Sequence, residues 1–105
     1  MTGEPDLSVA VEALESDAAR WEHAAADLRT AATAAAELVL DPGAFSFAGE
    51  AAADTYEALR IRTVTLLGQG ADELAAIAAA LRTSAATYAA EDAAGAHRAV
   101  AAGPR

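Results

Sequence analysis

Two long runs of apolar residues at helical spacing, parted by one proline–glycine break, constrain this chain more than any other feature. Val11, Leu14, Ala18, Trp21, Ala25, Leu28, Ala32, Ala35 and Val39 recur three and four residues apart. That spacing sets them on one face of a helix and excludes a strand, whose faces alternate with period two. Leu14, Trp21 and Leu28 are separated by whole heptads with alanines between them, so a seam alternating large and small side chains is expected. Glu12, Glu15, Glu22, Arg29 and Thr33 fall on the opposite face. Asp41-Pro42-Gly43 stops the pattern, because proline pushes the preceding residue out of the α region and Gly43 permits a reversal. A second stripe then runs through Ala52, Tyr56, Leu59, Thr63, Leu66, Gly70, Leu74, Ile77, Leu81, Ala85 and Tyr88.

These runs predict an all-α fold, an antiparallel two-helix hairpin in a single domain over residues 1–105. Helix one is expected over about residues 8–40, with Ser8 as N-cap after a frayed lead-in broken by Gly3 and Pro5. The turn is expected over about residues 41–49, with Ser46 capping the next helix and Phe45 and Phe47 plugging the hairpin's end. Helix two is expected over about residues 50–100, loosened at Gly95 and frayed at Gly103-Pro104-Arg105. Gly68-Gln69-Gly70 is its one internal fault, at about 1 kcal/mol per glycine relative to alanine, and reads as a place of close packing or a mild bend. With the bend centred near Ala44, residue i would lie level with roughly residue 88 − i. Tyr88 and Asp92 would then project past the start of helix one.

Composition narrows the function. Alanine makes up about a third of the chain and aromatics only 5%, so packing layers must be thin, each alanine adding little buried area at about 25 cal/mol per Å². A lone hairpin of this kind leaves apolar flanks open, which predicts a homodimer or heterodimer pairing into a four-helix bundle. The net charge of −9, without a lysine, argues against nucleic acid and against an anionic membrane surface. The longest apolar run, Leu74 to Leu81, is short for a bilayer span, so no stable membrane insertion is expected. Met1-Thr2-Gly3-Glu4-Pro5-Asp6 lacks the basic and apolar regions of a classical signal peptide.

Reaction chemistry is sparse. Without cysteine there is no thiolate nucleophile and no cysteine-bearing zinc site. His23 and Asp27 are four residues apart, but no further ligand has matching spacing, so they read as a solvated helix face. His23 also lacks a basic neighbour at i+3 or i+4 to hold a phosphoryl group. No nucleophile–base pair or phosphate-cradling loop is visible. The expectation is a protein with no catalytic residues, no metal and no cofactor.

One pair remains. Tyr88 and Asp92 stand one helical turn apart on one face, preceded in register by Leu81 and Ala85. This arrangement resembles the tyrosine-x-x-x-acid export signal of type VII secretion substrates, and more narrowly the EspC-type family of targets of the ESX systems. Related hairpins of the WXG type carry Trp-x-Gly at the bend; here Phe47-Ala48-Gly49 occupies that place, as suits the EspC branch. The family's bulky apolar residues after the acid are replaced by Gly95 and Ala99.

The resemblance implies a non-enzymatic hairpin, cytoplasmic before export and afterwards secreted or at the cell surface. It implies a signal at Tyr88 and Asp92, flanked by Leu81 and Ala85 and read by the secretion ATPase. It also implies pairing with a related hairpin or a toxin's N-terminal domain, through a seam including Leu14, Trp21, Leu28, Tyr56, Leu59, Leu66, Leu74 and Ile77. The alanine-rich, lysine-free composition fits an actinobacterial genome. The alternative is a cytoplasmic helical adaptor or antitoxin-like partner, which a tagged copy appearing in the medium without lysis would exclude.

Overall fold

The computed structural model describes the backbone of residues 3–102 and the side chains of residues 7–41 and 43–98. Among the described residues there are two long helices and no strand: α1, Gly3–Ala36, and α2, Glu50–Ala102, joined through a 3-10 turn at Pro42–Phe45. From Gly3 onward the predicted lead-in is helical instead, and Ser8 lies inside α1 rather than at its cap, while Met1 and Thr2 lie outside the described residues. Pro5 lies in the first turn of α1, where a missing N–H leaves no intrahelical bond unmade. At the other end α1 stops four residues short of the predicted Leu40. Its last carbonyls find tertiary donors instead of another helical turn: Arg60 Nη1 donates to the Ala36 carbonyl at 3.0 Å, and the Tyr56 hydroxyl to the Leu38 carbonyl at 2.7 Å.

Between Ala36 and Glu50 the chain does not form a symmetric bend. Ser46 follows the 3-10 turn rather than capping α2, and Gly49, at φ +85°, is the left-handed residue that admits the chain to α2. Phe45 is half-buried with its ring 5.7 Å from that of Tyr56, while Phe47 is 87% exposed, so only one of the two phenylalanines plugs the turn. Helix α2 passes unbroken through Gly68-Gln69-Gly70 and through Gly95. Gly70 is the close-packed glycine: a Cβ there would stand 3.2 Å from Leu28 Cδ1, whereas one on Gly68 would meet open space.

The described chain divides into two compact units. The bend unit is His23–Leu74. Within it Arg29 Nη2 donates to Asp72 Oδ1 at 3.2 Å, where the symmetric register had placed Leu59 opposite Arg29. The slip has a local cause. The first turns of α2 lie against the linker and the last residue of α1, with Tyr56 bonded to Leu38 and Arg60 to Ala36, so the body of α1 meets α2 farther along.

The terminal unit combines Met1–Glu22 with Ala75–Arg105. Arg82 pairs with Glu22 through its Nε at 3.1 Å and through Nη2, where the symmetric register had placed Leu66. Tyr88 and Asp92 therefore belong to a unit that includes the start of α1, and the expectation that they project past it is corrected.

Every residue found buried among those described is an alanine: Ala18, Ala78 and Ala85 in the terminal unit, Ala25, Ala35 and Ala71 in the bend unit. Ala18 and Ala25 are a heptad apart, as are Ala71, Ala78 and Ala85. Helices that meet on alanine approach closely, and the gap then excludes larger groups. Trp21 is consequently 38% exposed rather than the largest buried side chain, while Leu14 and Leu28 are half-buried. On α2 the predicted stripe faces inward at Ala52, Tyr56, Thr63, Gly70, Leu74, Leu81 and Ala85, but Leu59, Leu66 and Ile77 are exposed while their neighbours Arg60, Leu67 and Ala78 turn inward.

Within residues 50–98, α2 includes an 18-residue window of mean hydropathy 1.3, of which 11% is buried. By length and composition alone it is long and apolar enough to cross a membrane, which the count of uninterrupted apolar residues did not anticipate.

Candidate functional site

The region that carries the tyrosine–acid pair is the part of α2 in the terminal unit. No proline interrupts it, and alanine sustains the helix at little entropic cost. Ala85 is buried at 3% exposure and Leu81 is half-buried, so the residues flanking the pair are occupied by packing within the hairpin. One turn on, Tyr88 leaves that packed line and is 41% exposed. Asp92, a further turn along, is half-buried, and Glu91 is exposed. An aromatic ring with a carboxylate above it on one helical face can engage a complementary groove by apolar contact and a fixed charge. The arrangement has recognition chemistry, not bond-making chemistry.

The remaining predicted residues separate by unit. In the bend unit, Tyr56 and Leu74 are half-buried, Tyr56 with its hydroxyl bonded to the linker, whereas Leu59 and Leu66 are exposed. In the terminal unit, Leu14 is half-buried while Trp21 and Ile77 are exposed. His23 and Asp27 both lie exposed on α1.

Sequence reasoning missed Arg60. Its guanidinium holds Glu57 through Nε at 3.0 Å and through Nη2, besides binding the end of α1. The side-chain hydrogen bond from Arg60 holds the Glu57 carboxyl below its ordinary pKa and raises that of Arg60 in return. Arg82 is raised in the same way by its hydrogen bond with Glu22. The available signal was the i, i+3 acid–base spacing of Glu57 and Arg60 just beyond the break, with no other base between Arg29 and Arg60.

The family description "excreted virulence factor EspC, type VII ESX diderm" matches residues 1–98 of this chain. The chain belongs to the EspC family. EspC-family proteins are excreted by the type VII secretion system, so this is a type VII secretion substrate. The match covers α1, the turn and all but the last residues of α2, including Tyr88 and Asp92. The family is not known for enzymatic activity, and substrates of this system commonly partner with other ESX proteins. No curated protein and no solved structure matches the chain.

Proposed function

We propose that this EspC-family hairpin is a non-enzymatic export substrate or targeting partner whose Tyr88 and Asp92 form the signal gripped by the secretion ATPase. The exposure of Tyr88 beside the buried Ala85 carries this reading. An aromatic with 41% of its surface open can be seized without unfolding α2, while Ala85 and Leu81 keep the helix packed and its orientation fixed. The two signal groups are one turn apart, so one groove reaches both. Leu59, Leu66 and Ile77, exposed along α2, supply apolar surface for pairing with a second hairpin or a toxin's N-terminal domain into a four-helix bundle.

The test follows Asp92→Ala and Glu91→Ala in medium and cell pellet. Asp92→Ala removes the charge on the tyrosine's face and is expected to abolish export. Glu91 sits about 100° round the helix, so Glu91→Ala is expected to export normally. Equal export of both variants would overturn the assignment of the signal.

A further inference from the structure

Away from the signal, the turn end of the bend unit has a composition that the export reading does not use. Leu38, Val39 and Phe47 are exposed at 58%, 61% and 87%, and Leu40 is exposed beside them. These side chains stand on the linker, and a cleft of about 150 Å³ shared by Leu38, Leu59 and Thr63 joins them to the start of the exposed line on α2. Leu40, Asp41, Phe45 and Asp54 line one further cleft, Glu50 shares another with Phe45 and Asp54, and the Phe47 ring lies 6.5 Å from that of Phe45. An apolar group that includes a nearly bare phenylalanine is a docking surface in wait of an occupant.

The charge around it selects that occupant. From Thr30 to Leu59 the chain carries Glu37, Asp41, Glu50, Asp54 and Glu57 and not one basic residue or histidine. The first bases beyond are Arg60 and Arg62. Arg60 is already committed to Glu57 and to the Ala36 carbonyl, so the rim keeps its negative sign. A second copy docked here in symmetric fashion would set acid against acid. An anionic lipid surface would be repelled for the same reason.

We propose that the turn end, Leu38–Leu40 with Phe47 inside the rim of Asp41, Glu50 and Asp54, is a docking surface for a basic amphipathic helix of another protein. Its apolar ridge would cover Val39 and Phe47 while its lysines or arginines face the carboxylates. The surface shares no residue with Tyr88 and Asp92, which belong to the terminal unit.

The experiment titrates the full chain with an 18-residue leucine–lysine amphipathic peptide, followed by amide NMR and calorimetry. A leucine–glutamate peptide and vesicles of phosphatidylcholine with phosphatidylglycerol serve as alternative occupants. The expected result is binding of the basic peptide only, with the largest shifts at Leu38–Leu40 and Phe47. Phe47→Ser and Val39→Ser should each weaken it by about tenfold, with helicity unchanged because both side chains are exposed. Ile77→Ser, in the terminal unit, should leave it unaltered. Asp41→Asn with Asp54→Asn should flatten its salt dependence, since exposed charge pairs are screened beyond about 10 Å at 0.1 M salt. Binding undiminished in both serine variants, equal binding of the acidic peptide, or binding to the vesicles would each overturn the proposal.

Discussion

The bend unit and the terminal unit draw on the same two helices and the same kind of buried alanine, yet they are fastened differently. In the bend unit, polar groups tie distant pieces of chain together: Tyr56 to Leu38, Arg60 to Ala36 and Arg29 to Asp72. Among the described residues of the terminal unit, Arg82 and Glu22 pair across the helices and Ala18, Ala78 and Ala85 are buried. Hydrogen bonds fix the register of two surfaces because each donor must meet its own acceptor, whereas alanine rows slide more easily over one another. Tyr88 belongs to the terminal unit, where it stands exposed one turn past the buried Ala85.

The comparison can be broken most forcefully at its alanines. Ala71→Leu in the bend unit and Ala78→Leu in the terminal unit should each cost about 1–3 kcal/mol, because both side chains fill a closed gap. Thermal melting checks this, and silence at either site would remove the claim that alanine forms the seam. Trp21→Ala should cost about 1–2 kcal/mol, below the 3–5 typical of a fully buried aromatic, since the ring lies on the flank of the seam. Gly68→Ala should stabilise by up to about 1 kcal/mol, as a methyl there enters open space in a regular helix. Gly70→Ala should gain less, because its methyl must displace Leu28.

The smallest effect is a pH dependence confined to the bend unit. The Glu57 carboxyl is held below its ordinary pKa by the hydrogen bond from Arg60. Its contribution is therefore fully present above the ordinary glutamate range and is lost as pH falls through the lowered value. Amide protection near Ala36 and Arg60, taken relative to intrinsic exchange at each pH, should fall on acidification in the wild type and stay constant in Glu57→Gln. A wild type as insensitive as the variant would show that the pair does not hold the end of α1.

The hairpin was legible because Asp41-Pro42-Gly43 is an unambiguous breaker between two runs of period 3.6. The register was not, because it depends on where Tyr56 and Arg60 find carbonyls, and a hydrogen bond across the linker leaves no periodic trace. The packed line within the hairpin was legible only in part, for a related reason. Ala75, Ala76, Ala78, Ala79 and Ala80 lie on several sides of α2, so hydrophobic periodicity favoured Ile77 where the buried residue is its smaller neighbour Ala78. A rule that large apolar residues go inside cannot find a core made of methyl groups. Tyr88 with Asp92 stood out by spacing and resemblance, but their position relative to α1 inherited the error in register.

The central claim is that Tyr88 is a handle on a folded helix and not a piece of the core. Tyr88→Ala, followed by circular dichroism and by its partition between medium and cell pellet, tests it directly. The expected result is unchanged helicity, a stability within about 1 kcal/mol of the wild type, and no protein in the medium. Loss of helicity, or export at the wild-type level, would contradict it.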